Sequence, residues 1–365
     1  MFNLKDLLTR VVQAGASDLH LTVGAPPMLR IDGKLTQIGD NLLKPPDTRT
    51  LVYSLLNDSQ KTKFEENMEL DISVNFEDIG RFRVNVHREK GAVEAAFRSI
   101  PVQIATIEEL GLPPVITTLA RKPSGFILVT GPTGMGKTTT LAAMLHLILK
   151  ERNCLVITIE DPIEYVLSHK KGIIKQREVG SDTHSFAMAL RHVLRQDPDV
   201  ICIGEMRDLE TISTAITAAE TGHLVLATLH TPNTAQTIDR VIDVFPANQQ
   251  DQIRIQFAAS VEGIIAQQLI PKVGGGRVVA TEVLVATPAV RNVIRTQKTE
   301  QIATLLQTNA EAGMQSMDKS LLDLYERGLI TYDEAITRAV DPRSFIKISA
   351  EEPAQHPPYK RFFSR

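Results

Sequence analysis

One stretch narrows the possible folds more than any other: GFILVTGPTGMGKT, residues 125 to 138. Its apolar run, Phe126 to Val129, has the length and β-branched content of a buried strand, and it breaks into glycine-rich sequence that leads to the helical pattern LAAMLHLILK. Gly131, four further residues, Gly136, Lys137 and Thr138 have the spacing of a phosphate-binding loop. Gly131, Gly134 and Gly136 let the backbone turn its N–H groups toward one point, where a phosphate accepts them at the positive end of the following helix. Lys137 is expected on the β- and γ-phosphates of ATP. Thr138 is expected to offer its hydroxyl to Mg²⁺, which prefers oxygen ligands. Pro132, Thr133, Met135 and Thr139 complete the expected nucleotide-binding set.

With 365 residues the chain exceeds one ordinary core, so two or three domains are expected. Its 43% apolar and 23% charged residues are those of a globular protein, and a net charge of −3 gives no electrostatic reason to expect nucleic acid or an anionic membrane as partner. The opening MFNLKDLLTRVVQAG reads as an amphipathic helix without the apolar core or cleavage site of a signal peptide. No apolar run approaches the ~20 residues of a membrane span, so a cytoplasmic protein is expected. Cys154 and Cys202 sit in strand-like apolar runs and read as buried small hydrophobes, with no CxxC pair to hold zinc.

Residues 1–98 read as a small α+β domain with an antiparallel sheet: LHLTVG, MLRIDGKL, LDISVNF and GRFRVNVHRE alternate apolar with polar, and 47–66 reads as helix. Residues 99–115, with Pro101, Gly111, Pro113 and Pro114, read as a linker. From 116 to 285 the runs FILVT, CLVITIE, DVICIGE, HLVLATLH and VVATEVL alternate with helical stretches. That is the pattern of an α/β domain whose mostly parallel sheet is covered on both faces and binds ligands at its strands' carboxyl ends. Residues 286–350 are helical in pattern, and 351–365, rich in proline and mixed charge, read as a disordered tail.

Three further polar clusters fall at strand ends. DPDVICIGEMRD puts Glu205 directly behind a buried strand, where a carboxylate can hold a magnesium-bound water or polarise the attacking one. VITIEDPIEY ends another strand with Glu160, Asp161 and Glu164 within five residues. Their mutual repulsion needs a metal, a cation or a shifted pKa to offset it, so the three read as metal-organising or catalytic. In TGHLVLATLHT, His223 precedes a strand and His230 follows it seven residues later, which puts them at opposite ends and on opposite faces, unable to share one metal. His230 is expected to sense the γ-phosphate or an adjoining subunit. His223, beside Thr221, reads either as functional or as a histidine satisfied within the fold.

GPTGMGKT, IEDPIEY, DPDVICIGEMRD and TGHLVLATLHT, in this order and spacing, resemble the Walker A, Asp box, Walker B and His box of the secretion-superfamily ATPases. Within that group, GASDLHLTVGAPPMLRIDG, GRFRVNVHREKG, AVRNVIR at 289–295 and GMQSMDKSL at 313–321 resemble the type IV pilus retraction (twitching motility) ATPases, over about residues 1–345. Two departures stand out. Where that family's C-terminal motif ends in an acidic residue this chain has Thr296, and Val290 and Val293 replace isoleucine and leucine; burial is expected to persist, whereas an ion pair from position 296 is lost. The tail after 350 has no counterpart in the family.

The resemblance implies a PAS-like N-terminal domain and a RecA-like ATPase domain in a homo-hexameric ring, with nucleotide between the two domains. It implies arginines approaching the phosphates, with Arg81, Arg83 and Arg98 the candidates on one side and Arg195, Arg207 and Arg240 on the other; Arg207, two residues beyond Glu205, is nearest the chemistry. It also implies an inner-membrane pilus platform protein as partner, a paralogous retraction ATPase as a second one, and a station on the cytoplasmic face of the inner membrane.

The sequence thus reads as a Mg²⁺-dependent ATPase in which Lys137 and the loop amides hold the phosphates, Thr138 and Glu205 organise the metal, and Glu164 activates water. By resemblance, hydrolysis would drive pilus retraction. A pilus-extension or type II secretion ATPase would share all four boxes, and the expected absence of a further N-terminal domain and of a paired-cysteine zinc site favours retraction. An accessory retraction ATPase is a third reading. A GTPase or small-molecule kinase would share the loop, but no NKxD-like guanine-selecting motif occurs; a nucleotide-gated scaffold would leave the acidic residues idle.

Overall fold

The computed structural model describes residues 2–31, 33–76, 78–100, 104–343 and 345. Pro101 of the expected linker and the expected tail at 351–365 lie outside them. The chain divides into two compact units. One comprises residues up to 104 with 159–169 and 174–185; the other comprises 105–158, 170–173 and the residues from 186 onward.

The first unit opens with α1 (Leu4–Gln13), which buries Leu4, Leu7, Leu8 and Val11 at helical spacing and is capped by Asn3, whose side chain accepts the Lys5 N–H at 2.9 Å. β1 (Asp18–Leu21), β2 (Met28–Ile31) and β3 (Lys34–Gln37) follow, then α2 (Pro45–Tyr53) and α3 (Asp58–Asn67), then β4 (Glu69–Phe76), β5 (Gly80–Glu89) and β6 (Ala92–Ile100). They form an antiparallel sheet in the order β3-β2-β1-β6-β5-β4. Phe82, Val84 and Val86 alternate into the core with Phe97, Phe64 and Leu19. The helical stretch expected over 47–66 is two helices, because Asn57 and Gln60 exchange side-chain to backbone hydrogen bonds at 2.9 and 3.1 Å and start α3 afresh. β6 carries no alternation to reveal it: Val93, Glu94 and Ala95 are buried in succession.

The remaining elements are α4 (Val115–Ala120), β7 (Gly125–Thr130), α5 (Lys137–Glu151), β8 (Leu155–Glu160), β9 (Ile173–Glu178), α6 (Phe186–Val193), β10 (Val200–Ile203), α7 (Leu209–Glu220), β11 (Leu224–Leu229), α8 (Thr234–Asp243), α9 (Ala247–Ser260), β12 (Val261–Pro271), β13 (Arg277–Val285), α10 (Pro288–Arg295), α11 (Ile302–Thr308), α12 (Met317–Glu326) and α13 (Tyr332–Arg338). A seven-stranded sheet runs β13-β12-β7-β11-β10-β8-β9. β12, β7, β11 and β10 are parallel, and β13 closes that edge antiparallel to β12. β7, β10 and β11 are buried along their whole length, as strands covered on both faces must be. Both cysteines are buried, and burial pushes the Cys154 thiol up.

α10 buries Val290 and Val293, so the valines keep the packing expected of them, and the Thr296 hydroxyl turns back to donate to Asn292 O at 2.8 Å. Arg291 on α10 donates to the Ala258 and Ala259 carbonyls at 2.8 and 2.7 Å, closing the C-terminal end of α9, and to Glu262 at 2.6 Å. Among the described residues no helix is long and apolar enough to cross a membrane.

Candidate functional site

Three adjacent strands end at one level. Thr130 of β7 pairs with Leu229 of β11, and Ile203 of β10 pairs with Ala227, so Glu205, two residues further on, stands level with Leu229 while His230 and Gly131 open the next loops. The sheet thereby gathers the glycine-rich loop, the acid behind β10 and the second histidine at its carboxyl edge.

The loop is built on backbone that side chains cannot easily follow. Gly131, Gly134 and Gly136 have φ of 140°, 79° and 80°. A Cβ on Gly131 would lie 2.4 Å from the Gln267 carbonyl oxygen. Gly136 caps α5 without a side chain, so no N-cap side chain competes for the first-turn N–H groups. The buried Lys137 reaches back to donate to the carbonyls of Gly131 and Pro132 at 2.7 and 3.0 Å and to His230 Nδ1 at 3.4 Å. Thr138 and Thr139 are half-buried on the first turn of α5, and Pro132 and Thr133 are exposed.

His230 continues the line. A lysine only donates, so Nδ1 accepts and Nε2 carries the hydrogen that is given to Glu205 Oε1 at 2.7 Å. Arg207 grips the same carboxylate with both ends of its guanidinium, Nε to Oε1 at 2.6 Å and Nη2 to Oε2 at 2.7 Å. Partial burial pushes the Glu205 carboxyl up, but the hydrogen bonds from Arg207 and His230 and the Arg207 charge outweigh it and hold Glu205 below its usual range. Lys137, His230, Glu205 and Arg207 therefore form one polar line from the loop to the surface.

Several residues that brace this line leave no mark in the sequence. Thr130 donates to the Thr231 carbonyl at 2.6 Å, and the Thr231 hydroxyl meets Thr237 at 2.7 Å. Glu282, buried on β13, accepts both the N–H and the hydroxyl of Thr234 at 2.8 and 2.7 Å, which fixes the start of α8 just beyond His230. Gln267, buried on β12, bonds Met135 and Thr140.

Residues 159–169, which carry the acidic cluster, belong to the first unit. Glu160 accepts from Gln176 at 2.9 Å, and Asp161 and Glu164 are exposed. The segment is pinned by Glu178, 5% exposed, which accepts the Ile163 N–H at 3.0 Å and the Arg81 guanidinium at 2.6 Å. Arg98 donates to Asp18 at 2.9 Å, and Arg83 faces it across the β5–β6 register. Arg195 and Arg240 are exposed. His223 lies at the far end of β11 from His230, against the Ala218 carbonyl at 2.9 Å and Thr221 at 3.3 Å, so it closes the end of α7. Among the described residues no three or more His, Cys, Asp or Glu side chains gather as a metal site.

Residues 2–275 match the family of type II/IV secretion system proteins. The chain is 47% identical over 343 residues to the type IV pilus retractation ATPase PilT of Pseudomonas aeruginosa, covering 94% of this chain and 100% of that one. It is 41% identical over 354 residues to the type IV pilus ATPase PilU of the same organism, covering 96% and 93%. A crystal structure of the pilus retraction motor PilT with bound ADP matches with a TM-score of 0.90 at 48% identity, over 95% of this chain and 100% of that one. The mixed α/β fold with its parallel core is that of the secretion ATPases, and the chain belongs to the type II/IV secretion system protein family.

Proposed function

We propose that the protein is a Mg²⁺-dependent ATPase that powers type IV pilus retraction as a homo-hexamer, acting from the cytoplasmic face on an inner-membrane pilus platform protein. The observation that carries the enzymatic part is the line from the buried Lys137 through His230 to Glu205 at the ends of three parallel strands. The groups present suit a triphosphate: a glycine loop with no room for Cβ at Gly131, an α5 N-terminus without a side-chain cap, and a lysine among them. The likeness to the pilus retraction ATPase over its whole length supports the mechanical part.

The loop amides and Lys137 bind the β- and γ-phosphates, with Lys137 leaving the Gly131 and Pro132 carbonyls to do so. Thr138 and Glu205 would hold Mg²⁺, which would supply charge neutralisation for the transferred phosphoryl group. Glu164 positions and deprotonates the attacking water. His230, which bonds both Lys137 and Glu205, registers whether Lys137 has moved to the phosphate and passes that to Arg207 through Glu205. The match to PilU favours one second reading, an accessory retraction ATPase working beside a main one. Deleting the gene in its host and scoring surface pili and twitching separates these. Hyperpiliated, immobile cells support a main retraction motor; hyperpiliated cells that still twitch support the accessory role; bald cells contradict retraction.

A further inference from the structure

β12 lies between β13 and β7, but β7 stops at Thr130, opposite Ala266, while β12 continues against β13 to Pro271. From Gln267 onward the edge of β12 that faced β7 meets the phosphate loop instead. The Gln267 carbonyl fills the space beside Gly131, and the Leu269 N–H donates to the Met135 thioether at 3.3 Å. The Gln267 side chain, 1% exposed, donates through Nε2 to the Met135 carbonyl at 2.6 Å and accepts through Oε1 the Thr140 hydroxyl at 2.9 Å. The amide orientation follows from chemistry, because the Met135 carbonyl can only accept. Thr140, 2% exposed, lies one turn along α5 from Lys137.

We propose that Gln267 is a positioning residue for the nucleotide cradle. One buried amide ties the apex of the loop to the first turn of α5, so the loop N–H groups and Lys137 are held at fixed separation before nucleotide arrives. The inference rests on the reading of this loop as the nucleotide site. It assigns Gln267 to ground-state binding, because the side chain touches loop backbone and Thr140 and none of the groups assigned to water activation.

The test uses the purified full-length chain with Gln267→Met, which keeps the volume and removes both hydrogen bonds, and Thr140→Val, which leaves Gln267 in place. ADP dissociation constants, KM and kcat for ATP, and thermal midpoints are measured together. In Gln267→Met the ADP dissociation constant and KM rise about tenfold, equivalent to a hydrogen bond of ~1.4 kcal/mol, while kcat at saturating ATP stays within about threefold. Thr140→Val shifts both constants in the same direction by a smaller factor. Unchanged ADP affinity and KM in folded Gln267→Met and Thr140→Val overturn the proposal and leave the nucleotide reading intact, as does a fall in kcat alone. A wild type that binds no ADP overturns both.

Discussion

Gly131 is held to glycine twice over, by a φ of 140° and by the Gln267 carbonyl at 2.4 Å from any Cβ. Gly131→Ala is therefore expected to destabilise the fold by about 1–3 kcal/mol and to lose nucleotide binding, read from thermal unfolding and an ADP titration on the same samples. Glu205 gives a pH signature. Its folded-state pKa lies below the usual 4.5, so the stability it contributes is complete above that value and is lost as the pH falls through the lowered one. The difference in thermal midpoint between wild type and Glu205→Gln should accordingly be steady from pH 7 to 5 and shrink at lower pH; a difference that grows on acidification contradicts the network. At this scale the sequence shows the residues whose partners are near in the chain. Lys137 bonds residues five and six positions back, and the glycine spacing announces it. Gln267 and Glu282 act over 132 and 48 positions, and nothing in the surroundings IIAQQLIP marks one glutamine as buried and bonded.

Elements were legible where burial follows a simple period. The five expected strand runs of the larger sheet are β7, β8, β10, β11 and β13. β12 was not visible because VEGIIAQQLIP follows α9 with only the Ser260 to Val261 junction between them, and β9 because IIKQRE is too polar for a buried strand. β12 matters most of the three strands that periodicity hides, since it supports the phosphate loop on one side and carries Glu262 near its start. Arg291 joins α10 to that start and to the terminal carbonyls of α9. Arg291→Ala should cost about 1–3 kcal/mol, since it removes a charged cap and leaves two helix-terminal carbonyls without a donor. That corresponds to a fall of several degrees in the thermal midpoint, on the order of 2–4 °C per kcal/mol for a unit of this size. Full stability in Arg291→Ala contradicts this account of α10.

At the scale of the molecule, the residues that the proposal uses fall in both compact units: the loop, Glu205 and His230 belong to the second, and Glu160, Asp161 and Glu164 to the first. Sequence order alone suggests one strand-by-strand core and gives no hint that 159–169 groups with residues before 104. The reason lies in Glu178, whose buried carboxylate holds both Ile163 of the acidic segment and Arg81 of β5. The proposed hydrolysis assigns Lys137 of the second unit to binding and Glu164 of the first to water activation. Phosphate release by the purified protein with Mg²⁺ and ATP, measured beside ADP binding for wild type, Lys137→Ala and Glu164→Gln, tests it most directly. Steady release in wild type is predicted, with both binding and release lost in Lys137→Ala, and release lowered at least ~100-fold with ADP binding kept in Glu164→Gln. Wild-type rates in Glu164→Gln, or tight nucleotide binding without any release by the wild type, would contradict it.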